Sequence, residues 1–225
     1  MGSAANAGQA AIVVGAGPGI GMAVARRFGQ AGYQPALLAR SEEKLEHLGK
    51  QLQQEGYTTG WRAIDVTDEV ALRDAVSRFG EHSGSIGHLH YNPSAFRSSD
   101  ALSLSADELL ADVKLGAASL LTAVQAALPF MPAGARVTAT GGATADRPWH
   151  KAASLGVQKA ALRNLVSALD SALSSRDIRA MSLTVAGTVQ EGTPFDPAFI
   201  ADALYELSQT ESEFWASEIR FTGRE

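Results

Sequence analysis

Cysteine is absent from the 225 residues. That excludes disulfides, thiolate nucleophiles and cysteine-ligated metals, and it suits a reducing compartment, so the cytoplasm is the expected location. A positive balance is lacking too. Nineteen Lys and Arg against 24 Asp and Glu leave a formal charge of -5 and a pI near 5.6, with no basic cluster along the chain. Neither nucleic acid nor an anionic membrane surface is therefore an expected partner. No stretch reads as the roughly 20 apolar residues needed to cross a bilayer. Met1 to Gln9 lacks a basic region followed by an apolar run, so it reads as a disordered tail or a vector-derived remnant, not as a signal peptide or anchor. No linker or internal repeat divides the rest.

What is present is a 45% hydrophobic chain, enough for one core in a single domain spanning residues 1–225. Short apolar runs alternate with longer amphipathic segments, the pattern of repeated β-α units around a parallel sheet. Seven strands are expected, near Ala11 to Val14, Gln34 to Ala39, Thr58 to Ile64, His88 to Tyr91, Arg136 to Thr140, Arg179 to Val185 and Glu218 to Thr222. Helices fill the gaps. One opens at Ile20 and stops at Gly32, and Ser41 caps the next, with Glu42 and Glu43 in its first turn. Ser105 or Asp107 starts a long helix ended by Pro129 and Pro132, and another covers about Ser154 to Leu173.

The first strand runs into Gly15-Ala16-Gly17-Pro18-Gly19-Ile20-Gly21 and then a helix, the context in which backbone is brought against a diphosphate. Gly15 permits the sharp turn, Gly19 lets backbone approach the ligand, and Gly21 allows the helix to pack on the strand. Ile20 is expected beside the cofactor. The second strand ends in Ala39-Arg40-Ser41 with no carboxylate to accept ribose hydroxyls, so Arg40 and Ser41 point to a 2'-phosphate and to NADP(H) over NAD(H). The plainer alternative for Arg40 is a solvated charge at a strand end. Asp65-Val66 are placed to meet adenine through a carboxylate and a backbone amide; a turn or helix-entry aspartate is the alternative.

The glycine loop, Asp65-Val66, Asn92 in Tyr91-Asn92-Pro93-Ser94, Lys159 followed by Ala160-Ala161-Leu162, and Ala186-Gly187-Thr188-Val189 occur in the order found in the short-chain dehydrogenase/reductase family, which the chain resembles over nearly its whole length. The resemblance implies a Rossmann-like, doubly wound, parallel seven-stranded sheet in the order 3-2-1-4-5-6-7 with helices on both faces, and nicotinamide hydride transfer at the C-terminal ends of the strands. It implies that Lys159 hydrogen-bonds the nicotinamide ribose and that the backbone around Thr188 and Val189 meets the carboxamide.

The departures from the family fall on the chemistry. Its tyrosine acid is replaced by Leu155, its serine falls on Gly142 and its helix asparagine on Lys114, leaving Lys159 alone of the tetrad. The Gly187 to Ala198 segment is also shorter than the family's usual substrate lid. A positioned acid typically contributes roughly 10²- to 10⁴-fold, so a replacement donor or another reaction is required. Tyr91, His150, Thr140 and Thr144 are candidates by position, although each has an ordinary reading as core, loop or strand residue. Lys114 is a further candidate: beside Lys159 in one cleft, repulsion would favour a neutral amine suited to proton transfer or an imine, whereas on a helix face it would simply reach solvent.

His88 and His90 alternate on one strand, so they share a face. With no third ligand recognisable, they read as core histidines bonded under a helix, not as a metal site. Trp215 and Glu218 read as packing for the last strand. The resulting expectation is an NADP(H)-dependent oxidoreductase acting on a small carbonyl or alcohol substrate. The alternatives are a redox-inactive nucleotide-binding regulatory or partner protein and a lysine-dependent lyase or isomerase on the same scaffold. A homodimer or homotetramer through the long Ala/Leu-rich helices is also expected.

Overall fold

A computed structural model describes residues 6–224. Seven parallel strands, β1 (Ala10–Val14), β2 (Gln34–Ala39), β3 (Gly60–Ala63), β4 (Ile86–Tyr91), β5 (Arg136–Gly142), β6 (Arg179–Val185) and β7 (Glu218–Phe221), pair in the order β3-β2-β1-β4-β5-β6-β7. This is the doubly wound sheet expected from the sequence. Its helices are α1 (Ile20–Gln30), α2 (Glu42–Gln54), α3 (Glu69–Ser83), α4 (Ala106–Val113), α5 (Ser119–Ala127), α6 (Ala153–Leu173) and α7 (Pro197–Ser208). Because successive strand residues point to opposite faces, the sheet divides two cores. Ile12, Leu89 and Val137 pack with Leu72, Leu120 and Leu162 of α3, α5 and α6 on one side. Val13, Leu37 and Leu183 pack with Phe28, Leu48 and Leu204 of α1, α2 and α7 on the other. Fully burying each such side chain stabilises the fold by about 1.5–3 kcal/mol before entropy is counted.

Strand boundaries shift where side chains compete with the ladder. β3 pairs with β2 only from Gly60 to Ala63; before it the Thr59 hydroxyl donates to the Tyr57 carbonyl, and Gln53 donates to the Thr59 carbonyl. β5 runs two residues further than expected, through Gly142, because β6 continues to pair with it as far as Val185. The predicted caps form: Gly32 is left-handed after α1 (φ 95°), and the Ser41 hydroxyl accepts from the Lys44 amide. At Ser105 a full capping box is made with Glu108.

Two expectations need amending. The helical run Ala106–Phe130 is, by length and composition, apolar enough to cross a membrane, contrary to the reading that no stretch is. Half of its apolar window is buried, and Leu120, Ala123, Val124 and Ala127 lie in the core, so its apolarity is that of a core helix. It is also interrupted, by a π turn over Lys114–Ala118. Of the segment read as a tail, residues 1–5 lie outside the described residues; Asn6 to Gly8 form a turn in which the Gln9 amide donates to the Asn6 carbonyl before β1.

Helix α2 approaches β3 through Gly49, where a Cβ would collide with the Trp61 ring. Gly49→Ala should lower stability by about 1–3 kcal/mol, since overpacking outweighs the gain of up to about 1 kcal/mol in helix propensity. Denaturant titration would register a lower midpoint at unchanged slope; a midpoint at or above wild type would contradict this packing.

Candidate active site

The glycine loop leaves β1 at Gly15 with φ 78°, and a Cβ there would lie 2.8 Å from the Pro93 nitrogen, so both conformation and space require glycine. At Gly21 a Cβ would lie 2.9 Å from Ala16 Cα, the close helix-to-loop packing expected of that position. Gly17 and Gly19 differ. Their Cβ positions open into free space, and Gly19 caps α1 without a side chain, so bare backbone at a helix N-terminus faces outward beside the exposed Pro18. These residues fit a dinucleotide diphosphate. Ile20 is half-buried and packs on the core below.

A cavity of about 350 Å³ beside this loop brings together Gly15, Ala16, Ala39, Arg40, Ser41, Val66, Asn92, Pro93, Ser94 and Leu115. The predicted residues from four strand ends thus converge. Arg40 is exposed and makes no ion pair among the described residues. Asp65 is engaged in its own turn, accepting from the Thr67 amide and hydroxyl (both 2.8 Å), bonds that hold its carboxyl below the usual range. Lys114 is half-exposed, 3.9 Å from Glu69, and its charge is felt at Asp65; it is not among the residues lining the Lys159 cavity.

That second cavity, of about 370 Å³, is lined by Thr140 to Thr144, Leu155, Lys159 and Val185 to Val189, including Thr188. Lys159 is buried, and its Nζ donates to the Thr140 carbonyl at 2.7 Å. Burial lowers its pKa to about 8. No other residue lining the cavity is ionisable, and Leu155 supplies hydrocarbon where the family carries its acid. Gly142 leaves its Cβ site 3.6 Å from the Lys159 stem.

Of the other proposed donors, Thr144 lines this cavity with Lys159, whereas Tyr91, His150 and the Thr140 hydroxyl are placed elsewhere or already engaged. The Tyr91 ring is fully buried, and its hydroxyl donates to the Leu115 carbonyl at 2.6 Å; burial raises its pKa well above the ordinary range. His150 is exposed on a short 3-10 turn before α6 and does not line the cavity. The Thr140 hydroxyl is directed to the α1 side of the sheet, where it meets Asn92 Oδ1 at 2.7 Å and His90 Nε2 at 3.1 Å.

That contact begins a buried chain whose proton directions follow from one end. Asn92 Nδ2 donates to the Gly15 carbonyl, so Asn92 Oδ1 is an acceptor and the Thr140 hydroxyl must donate to it. Thr140 then accepts from His90 Nε2–H. The bare His90 Nδ1 accepts from Thr138 at 2.8 Å, and Thr138 accepts from His88 Nε2–H at 2.9 Å. Both rings are neutral, with burial holding His88 well below the ordinary range and His90 at about 3. The Phe28 ring of α1 lies 3.9 Å from His88, so the pair sits under that helix, bonded as core histidines.

Gln158 is a residue that the sequence reading passed over. Fully buried beside Lys159, it accepts from the Ala95 amide and donates to the Ala95 carbonyl, both at 2.9 Å, which clamps the loop after β4 to α6. Room for it comes from Gly116 in the π turn, where a Cβ would strike Gln158. The carbonyls at that turn are met by Ser119, which donates to Lys114, and by Tyr91. Arg97, paired to Asp112 and Glu108, fastens the same loop to α4. Periodicity gives no sign of a single buried amide; only its position next to Lys159 could have drawn attention to it.

Glycine loop, topological switch and clustered strand ends define a Rossmann-type doubly wound fold. The family model for short chain dehydrogenase matches residues 9–195. The chain belongs to the short-chain dehydrogenase/reductase family. An uncharacterized oxidoreductase of Staphylococcus epidermidis is 24% identical over 213 residues, covering 89% of this chain and 91% of that protein. A 3-dehydrosphinganine reductase of Arabidopsis thaliana is 31% identical over 123 residues, 55% of this chain but only 37% of that protein's length. The NADPH-bound structure of a Pseudomonas aeruginosa short chain oxidoreductase containing an atypical catalytic center superposes with a TM-score of 0.86 at 20% identity, covering 96% of this chain and 97% of the other.

The proton directions are open to test. Long-range nitrogen-proton NMR should find His88 and His90 protonated at Nε2 and neither titrating between about pH 5 and 9, because their neutral forms are the ones folding favours. A protonated Nδ1 on His90, or titration near its ordinary value of about 6.5, would contradict the chain.

Proposed function

We propose that the protein is an NADP(H)-dependent oxidoreductase acting on a small carbonyl or alcohol substrate, with a non-standard proton donor. The observation that carries this reading is the pairing of a glycine-lined helix N-terminus and an Arg40 without an ion pair among the described residues with a cavity in which Lys159 is the one ionisable group. Arg40 and Ser41 would hold the 2'-phosphate, the Gly17 to Gly19 backbone the diphosphate, and Lys159 with Thr188 and Val189 the nicotinamide riboside. When bound, the cofactor supplies or accepts hydride.

This chain's own part is orientation and charge. With its pKa lowered to about 8, the Lys159 amine is mostly protonated near pH 7 and still able to release a proton, from a side chain shielded from water where its charge is less screened. The cavity hydroxyls of Thr144 and Thr188 can hydrogen-bond a substrate oxygen, but an aliphatic alcohol is no stronger an acid than the alcohol being formed. Proton supply therefore falls to Lys159. A redox-inactive nucleotide-binding protein is the second reading, favoured by Leu155 and Gly142 at the acid and serine positions.

Leu110, Leu121 and Val157 on α4, α5 and α6 are 65%, 40% and 46% exposed, which supports the proposal of a homodimer or homotetramer through these helices. The cysteine-free composition supports a cytoplasmic location.

Calorimetric titration of NADPH and NADH into wild type and Arg40→Ala tests the cofactor assignment. NADPH should bind tighter to wild type, and the substitution should weaken it about 10- to 100-fold, the usual loss of a charge-assisted hydrogen bond, while leaving NADH unchanged. Equal loss for both, or no binding of either to wild type, would overturn it.

A further inference from the structure

We propose that a cavity at the N-terminal ends of β2 and β3, at the opposite end of these strands from Arg40 and Val66, binds a small molecule that carries one carboxylate on an apolar body. The assignment is independent of the oxidoreductase reading.

The cavity holds about 310 Å³ between β2, β3 and the C-terminal half of α3, a size that admits a small ligand. Its space has a local origin. Pairing of β3 with β2 begins only at Gly60, and this glycine leaves the α3 face of the edge strand bare. A Cβ there would lie 3.1 Å from the Phe79 ring. The Trp61 ring packs over Gly49 on the opposite face, and the buried Ala36 and Ala75 are too small to close the gap. Phe79 and the two alanines thus form an apolar floor. At the edge, Thr59 offers no competing polar group, since its hydroxyl and carbonyl are already bonded to Tyr57 and Gln53.

The charge at the rim selects the sign of the ligand. Arg62, Arg78 and His82 line the cavity and no carboxylate does, in a chain whose formal charge is -5. Asp74, outside the lining, draws the two guanidinium groups together. It accepts from Arg62 Nη1 at 2.5 Å and from Arg78 Nε at 3.0 Å, bonds that hold its carboxyl below the usual range. Two cations on one anion leave one positive charge unanswered.

The free donors have the geometry of a carboxylate site. Arg78 engages Asp74 through Nε, and its two Nη groups make no hydrogen bond among the described residues, leaving a planar fork of N–H donors. Helical spacing sets that fork beside the floor: Asp74, Arg78 and His82 follow one another at four-residue intervals, as do Ala75 and Phe79. An apolar stripe of α3 therefore runs alongside a cationic one. A monoanion cancels the remaining charge, whereas a dianion would turn its surplus toward Asp74.

The test follows backbone amide shifts of the isotope-labelled full chain near neutral pH, titrated with hydrocinnamate, with its uncharged amide hydrocinnamamide, and with the dianion phenylsuccinate. Hydrocinnamate should give saturable shifts at Gly60, Phe79 and His82 and none at Gly17 or Gly19. It should bind about 5-fold or more tighter than the amide, the scale of a partly exposed bidentate pair. Arg78→Gln should remove that advantage and leave the amide's affinity unchanged, and Arg78→Lys, which keeps the charge without the fork, should fall between. The Arg78 side chain is 68% exposed, so both variants are expected to fold, which the unperturbed remainder of the spectrum checks. Absence of saturable shifts at these residues, equal binding of acid and amide, or undiminished hydrocinnamate affinity in Arg78→Gln would overturn the site. Tighter binding of phenylsuccinate than of hydrocinnamate would overturn the assignment to a monoanion.

Discussion

The hydrogen bond from the buried Lys159 amine to the Thr140 carbonyl is the constraint on which the site depends. It joins the end of β5 to the first turns of α6, and it places a titratable amine where water is largely excluded. Burial of such a group is costly unless it is bonded, and the cost appears as a pKa lowered to about 8. Everything else that lines the cavity is backbone, hydrocarbon or threonine. The chemistry available there is set by one amine and by the absence of a competing acid.

Thr140 has a second role through its hydroxyl. Its carbonyl serves Lys159, while its hydroxyl faces the opposite side of the sheet and ends the directional chain from His88 through Thr138 and His90. Asn92 passes that order to the Gly15 carbonyl, at the turn where the glycine loop begins. One residue thus ties the Lys159 cavity to the glycine loop through the sheet. Gln158, one position before Lys159, makes the matching tie to the loop after β4.

Much of this was legible in the sequence, and the reasons are local. Apolar runs with strand and helix periods located all seven strands, since both faces of a parallel sheet are buried. Gly21, Ser41 and Ser105 each act within a few residues, and Gly15 turns by its own positive φ, so spacing disclosed them. Leu155 and Gly142 stood out because family order assigns those positions to other residues. The rest depended on contacts between distant segments. Gln158 with Ala95 spans 63 residues and His90 with Thr138 spans 48, and no periodicity encodes such pairs. At the π turn likewise, Gly116 meets Gln158 and the Leu115 carbonyl meets Tyr91, partners brought from distant segments.

A crystal structure with NADPH and an acceptor analogue bound would test the central claim, that the site works with Lys159 and without a phenol, carboxyl or imidazole acid. Lys159 Nζ, with at most the Thr144 and Thr188 hydroxyls, is expected near the bound pair, with Leu155 packed against it. The His150 imidazole or the Tyr91 hydroxyl within hydrogen-bond reach of the acceptor would contradict the account.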